Sequence, residues 1–97
     1  MTSYTITLEA PIGVKCGKLS ADIADGKLTG CIFVMNAENP FSGDIDNNGN
    51  CTISGSLKTL LYQLSFVGSG TLTEDHVLLN IKTDRHTLML KGEKAYE

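Results

Sequence analysis

Ninety-seven residues, 41% of them apolar and 20% charged, suffice for one domain with a core and leave little room for a second. Eight basic against eleven acidic side chains give a net charge of −3, with no Lys/Arg run and only three Tyr, three Phe and no Trp, which disfavours a nucleic-acid surface. No apolar run approaches the ~18 residues of a membrane span, and the start Met-Thr-Ser-Tyr-Thr-Ile-Thr has no basic-then-apolar leader, so the expectation is a cytoplasmic chain with no membrane partner.

Residues 3–10 alternate Tyr4, Ile6, Leu8 and Ala10 against Thr5, Thr7 and Glu9, the pattern of a half-buried strand that Pro11-Ile12-Gly13 ends. Residues 14–24 read as a second strand. Its apolar side changes parity from Val14 and Cys16 to Leu19, Ala21 and Ile23, and the change predicts a bulge at Gly17. Asp25-Gly26 is a two-residue hairpin turn. Residues 27–36 follow, with Leu28, Ile32 and Val34 on one side and Cys31, Phe33 and Met35 making the other side apolar too. Residues 36–40 read as a loop, with Pro40 opening the next strand or lying on an edge.

Phe41, Gly43 and Ile45 then alternate with Ser42, Asp44 and Asp46. Asn48-Gly49 carries the type I′ hairpin signal, which would set Cys51 opposite Asp46. Cys51, Ile53, Gly55 and Leu57 share the next face. Residues 57–67 fit helix spacing through Leu57, Leu60, Leu61 and Leu64, and strand spacing through Leu60, Tyr62, Leu64 and Phe66. The surrounding strands favour strand. Gly68-Ser69-Gly70 predicts a bend or bulge before Thr71–Thr73, and Glu74-Asp75-His76 turns the chain. Val77, Leu79 and Ile81 face inward, Asp84-Arg85 turns again, and Leu88 and Leu90 precede a polar tail from Glu93 to Glu97.

A shift of 49 residues aligns the halves in pattern: Leu8 falls on Leu57, Ile23 on Leu72, Leu28 on Val77, Ile32 on Ile81 and Gly43 on Gly92. The expected architecture is all-β: about eight antiparallel strands in a meander, two four-stranded pseudo-repeats at about 1–48 and 50–97. Such a set closes into a small barrel or collapses into a sandwich.

Tyr4 to Leu8, Ala10-Pro11-Ile12-Gly13, Gly26-Lys27-Leu28-Thr29-Gly30, Pro40-Phe41-Ser42-Gly43, Ser54-Gly55-Ser56-Leu57-Lys58-Thr59 and Phe66-Val67-Gly68 cover most of the chain. Together they resemble a group of small bacterial β-domains that stand alone or accompany flavin-type oxidoreductases. The resemblance implies the β fold and an accessory role beside such an enzyme. It carries no catalytic residue. The sequence departs from the group's pattern after Lys58-Thr59, where Leu60-Leu61-Tyr62 stands in place of a second Pro-x-Gly.

Four constellations carry chemistry. Asp44, Asp46 and Asn48, with Gly49 at the sixth position, match the first half of a calcium loop. Gly55 stands where the bidentate Glu belongs, and strands flank the segment, so a turn accounts for the same residues. His76 and His86 each sit beside acids, but they end a strand of about seven residues and so lie ~20 Å apart. The cysteines Cys16, Cys31 and Cys51 are odd in number and lack Cys-x-x-Cys spacing, which suits free thiols in a reducing compartment. Tyr4, Phe41, Tyr62 and Phe66 point into the barrel and could line a small apolar ligand.

Cys31, Phe33 and Met35 form a fifth feature, an outer apolar face that marks a contact surface if solvent reaches it. The expected function is a non-enzymatic binding module without a cofactor, meeting a protein partner or a second copy through that face. The alternatives are a carrier of small apolar ligands and weak calcium binding.

Overall fold

The structure, a computed structural model, describes residues 2–10, 13–34, 36–58, 63–84 and 86–95. They form eight strands: β1 (Thr2–Ala10), β2 (Gly13–Ala24), β3 (Lys27–Val34), β4 (Ala37–Ile45), β5 (Asn50–Lys58), β6 (Gln63–Leu72), β7 (His76–Thr83) and β8 (Thr87–Lys94). Each pairs antiparallel with the next, and β8 returns to β1, so the meander closes into a barrel, not a sandwich. Met1, Pro11, Ile12, Met35, residues 59–62, Arg85, Tyr96 and Glu97 lie outside the described residues.

The registers fix the barrel's stagger. Paired residues run from Thr2 to Ala21, Gly30, Phe41, Gly55, Phe66 and Thr83. Two further steps in the β7–β8 and β8–β1 registers return to β1 about ten residues from the start. An eight-stranded sheet with that stagger tilts its strands by roughly 35–45° to the axis. Displaced by 49 residues, β3 coincides with β7, and the registers within the first four strands recur within the last four. The two seams differ by a two-residue slip: Ile45 pairs with Cys51 at one, and Tyr4 with Lys94 at the other.

Alternation places one apolar core inside. Tyr4, Ile6, Leu8, Leu19, Leu28, Ile32, Phe41, Ile53, Phe66, Leu79, Ile81 and Leu90 are all buried. Thr5, Lys18, Thr29, Glu38 and Ser42 face out, as do the exposed apolar residues Val14, Phe33, Val67 and Leu78. Among the described residues there is no helix, and so none long and apolar enough to cross a membrane.

Several sequence expectations are corrected by backbone geometry. Gly17 makes no bulge: β1 and β2 pair in unbroken register from Thr2↔Ala21 to Ala10↔Gly13. The parity change arises because Val14 and Cys16 point outward and are exposed. Gly68 and Gly70 likewise sit within a continuous β6. Gly17, Gly30, Gly43, Gly55, Gly68, Gly70 and Gly92 all occupy inward positions. At most of them a side chain would strike the backbone carbonyl of an adjacent strand. They mark where the sheet bends sharply to close.

The remaining corrections concern ends and turns. Residues 37–40 belong to β4, Glu93 and Lys94 belong to β8, and within 57–67 the described residues are strand, 57–58 ending β5 and 63–67 opening β6, while 59–62 lie outside the described residues. Asp25-Gly26 does make the tight turn, with φ of 51° and 76°. At Asn48-Gly49 only Gly49 has positive φ, 88°. The Gly49 amide donates to the Asp46 carbonyl, and the Asp46 amide to the Asn50 carbonyl. This is a type I turn followed by a left-handed glycine, one residue longer than the type I′ alternative. Cys51 therefore pairs with Ile45, not Asp46. Inward residues are odd-numbered on both β4 and β5, so only this longer turn sets inward against inward.

The glycine positions divide by what surrounds them. A methyl group at Gly43 would collide with the Thr52 carbonyl, whereas at Gly68 the nearest atoms are the flexible side chains of Ile53 and Ile81 at 3.1 and 3.4 Å. Gly43→Ala should cost roughly 2–3 kcal/mol in urea denaturation and Gly68→Ala less than about 1 kcal/mol, because overpacking hurts most where the neighbour is backbone.

Candidate functional site

The interior aromatics act as packing. Tyr4, Phe41 and Phe66 are buried, while Tyr62 is outside the described residues. The tip of the Phe41 ring covers Gly30, and the Phe66 ring lies over Gly55. Tyr4 donates its hydroxyl to the Thr73 carbonyl at 2.5 Å. Burial, with Glu74 and Asp75 nearby, raises its pKa, so the donor stays protonated. One concavity of about 230 Å³ opens at the barrel mouth, lined by Thr2, Tyr4, Ala21, Asp22, Ile23 and Leu72. Ile23 occupies an inward position there yet is 54% exposed.

At the opposite end a buried polar residue completes the wall. Asn39, which the sequence placed in a loop, faces inward and is 0% exposed. The β4–β5 pairing stops at Phe41, beside Pro40, which has no N–H to donate. The Asn39 side chain spans the gap. Its Nδ2 donates to the carbonyls of Ile32 and Ala37, and its Oδ1 accepts from the Lys58 amide at 2.8 Å. No buried side-chain polar atom lacks a partner among the described residues.

The calcium-loop residues are used by the turn. Asp46 Oδ1 accepts from the amides of Asn48 and Asn50, and Oδ2 accepts from the Asn50 side chain. Asp44 points out to Lys27 at 2.7 Å. Asp44, Asp46 and Asn48 thus serve one turn and one surface ion pair. No group of three or more His, Cys, Asp or Glu is placed to hold a metal ion among the described residues.

The histidines occupy matching turns at opposite ends of β7. The His76 amide donates to Thr73 Oγ1 and the His86 amide to Thr83 Oγ1. Of the thiols, Cys16 is exposed, Cys31 partly exposed and Cys51 buried. Burial, then Asp46, raises the Cys51 pKa and keeps it a thiol. Ser20 pairs with Cys31, which leaves Cys16 four residues further along β2.

The outer face of β2–β3–β4 gathers the remaining candidates. Cys31 and Phe33 point outward from β3, and Phe33 is 43% exposed. Val14, 59% exposed, and Cys16 extend the apolar surface on β2, and Pro40, paired with Cys31, extends it on β4. A dent of about 270 Å³ beside Phe33 is lined by Cys16, Val34, Asn36 and Ala37. Strand pairing adds two charges that a reading of single segments misses. Lys18 pairs with Phe33 on one side and Glu38 on the other, giving a row Lys18–Phe33–Glu38 across three strands. The internal repeat supplies a comparison. At the equivalent positions of the second half, Gln63, Ser65, Asn80 and Lys82 replace Val14, Cys16, Cys31 and Phe33.

No protein-family model and no curated protein matches the sequence. Two solved structures share the fold. One is a redesigned β-barrel, mFAP0, bound to DFHBI, with 11% identity and a TM-score of 0.67 over 95% of each chain. The other is a de novo designed fluorescence-activating β-barrel, with 9% identity and a TM-score of 0.58 over 99% of this chain and 92% of that one. At these identities the likeness establishes the closed eight-stranded barrel alone.

The Asp46 turn has a pH signature. Hydrogen bonds from the Asn48 amide first, and then from Asn50, hold the Asp46 carboxyl below its ordinary 3.8. A depressed carboxylate stabilises the fold in full above its unfolded pKa, and the contribution is lost as pH falls through the folded value. The melting temperature of Asp46→Asn should therefore decline less steeply than that of the wild type below about pH 4, which a melting series from pH 6 to 2 measures.

Proposed function

We propose that this chain is a non-enzymatic interaction module that docks a protein through the outer face of β2–β3–β4, centred on Phe33. The carrying observation is an aromatic side chain held in solvent although the barrel already has an apolar interior for such residues. Cys16, Cys31 and Pro40 extend the apolar surface around it, with Val14 further along β2; at the positions equivalent to Val14, Cys16, Cys31 and Phe33 the second half carries Gln63, Ser65, Asn80 and Lys82, and its own outward apolar residues are Val67, Leu78 and Met89. A patch of that kind, rimmed by charge, has the composition of a contact surface. Closure of the sheet reinforces the reading. With β1 paired to β8, each strand has a hydrogen-bonded neighbour on both sides among the described residues, which favours recognition through outward side chains over strand addition. The resemblance to β-domains that accompany flavin-type oxidoreductases makes such an enzyme one candidate partner.

A photoreactive phenylalanine analogue at position 33, irradiated in the producing cell, should give a defined cross-linked species. The same group at position 82 should give none. Equal yields from both positions, or no adduct from position 33, would sink the proposal, and the adduct's mass distinguishes a second copy from another protein.

The exposed Ile23 supports a second reading, a small apolar ligand held in the mouth between Tyr4, Ala21, Ile23 and Leu72. The redesigned barrel of similar fold is bound to a small molecule. Indole near its solubility limit should raise the melting temperature of the wild type and leave Ile23→Lys unmoved. No shift in the wild type removes this reading.

A further inference from the structure

From the row of charges across the docking face, we infer that its occupant is a second copy of this chain, bound about a two-fold axis that runs along β3. The inference rests on the interaction-module reading above and names its partner. Lys18, Phe33 and Glu38 lie side by side on β2, β3 and β4, and all three are exposed. Adjacent strands are about 4.8 Å apart, so the Lys18 and Glu38 backbones stand roughly 5 Å to either side of that of Phe33.

A face-to-face pair about an axis parallel to β3 reverses left and right. Lys18 of one copy then faces Glu38 of the other, Glu38 faces Lys18, and the two Phe33 rings meet on the axis. The row is self-complementary, as an isologous contact requires. An axis across the strands would instead oppose Lys18 to Lys18, which fixes the orientation as well as the partner.

Two further observations fit this geometry. The barrel wall curves away from β3 on both sides, so an opposing barrel touches β3 first and leaves a gap over β2 and β4. Lys and Glu have the reach to span that gap, and Phe33 occupies the line of closest approach. Both charges are also available. Among the described residues the ion pairs are Lys27–Asp44, Lys91–Glu9 and Lys94–Glu74, and neither Lys18 nor Glu38 takes part in one. The second half carries Val67, Lys82 and Thr87 at the equivalent positions. That row has no self-complementary charge, so a dimer formed through the first half terminates and does not extend into a filament. The apolar footprint is Val14, Cys16, Cys31, Phe33 and Pro40, a small interface that suits dissociation in about the micromolar range.

Sedimentation velocity over a concentration series tests this directly. The wild type should pass from monomer to dimer. Lys18→Glu and Glu38→Lys should each raise the dissociation constant by roughly tenfold or more, since each sets like charges together twice. The double variant, with the charges exchanged, should return to within about threefold of the wild type. Raising salt from about 0.05 to 0.5 M should weaken the wild-type dimer, a check that needs no variant. A wild type that stays monomeric at several hundred micromolar (about a hundredfold above the expected midpoint) overturns self-association. So does a double variant as weak as the singles. If the wild type is monomeric but position 33 still yields an adduct with a different protein, the interaction module stands and only its partner changes. If both measurements are negative, both proposals fall.

Discussion

At Gly43 the space for a methyl group is held by the carbonyl oxygen of Thr52, at Gly30 by that of Ser20, and at Gly92 by that of Thr5. These are backbone-to-backbone approaches, and a residue with a Cβ cannot make them without moving a strand. They recur around the barrel wall, with inward glycines on six of the eight strands. A sheet of strands eight to twelve residues long can close only by bending sharply as well as tilting. The glycines supply the bend, and the stagger of about ten residues supplies the tilt. Aromatic rings then occupy the volume that the glycines leave: Phe41 lies between Gly30 and Gly55 in the registers, and Phe66 opposite Gly55. Large inward side chains and inward glycines are two parts of one packing solution, which is why Phe41 and Phe66 read as wall-fillers before ligand contacts.

Closure moves the remaining hydrogen-bonding problem to the ends of the strands. Where Pro40 halts the β4–β5 ladder, Asn39 provides one acceptor and two donor bonds from its side chain. Where β4 turns into β5, the Asp46 carboxylate accepts two backbone amides. Thr73 and Thr83 each accept the amide of a histidine across a short turn. Each of these residues belongs to a type that suggests chemistry when seen in sequence, and each is engaged in finishing the wall. A buried or turn-bound polar group with its partners satisfied is worth more to the fold than to a ligand.

The strand interiors were legible because period-two alternation needs no tertiary information. Tyr4, Ile6 and Leu8 or Val77, Leu79 and Ile81 declare their face unaided. The failures have separate physical causes. Glycine has no side chain with which to declare parity, so Gly17 and Gly68 to Gly70 suggested irregularity where the ladder is continuous. Asn39 declared the wrong environment, because a buried amide with three hydrogen bonds looks in sequence like a loop residue. Asn48-Gly49 signalled a turn correctly. Its length depended on a side-chain cap from Asp46 that dipeptide preference does not contain. On the outer face, Phe33 was legible because apolar residues fall on both parities of β3. Lys18 and Glu38 were not, since only the β2–β3 and β3–β4 registers bring them to either side of the ring.

The two halves share their internal registers and differ in what they carry on them. Inside, the exchange is between equals: Ile32 for Ile81, Leu28 for Val77, and Gly43 for Gly92. Outside, Phe33 stands against Lys82 and Val14 against Gln63. Core packing constrains the first set and is indifferent to the second, because outward positions on a closed barrel touch only their lateral neighbours and water. An apolar outward position therefore costs solubility without adding to the core. The wall of β6–β7–β8 has Lys82, Gln63 and Ser65 at the positions of Phe33, Val14 and Cys16, and places its own outward apolar residues, Val67, Leu78 and Met89, elsewhere. On the outside, Phe33 is thus set by neither the core nor the strand registers, which both halves share.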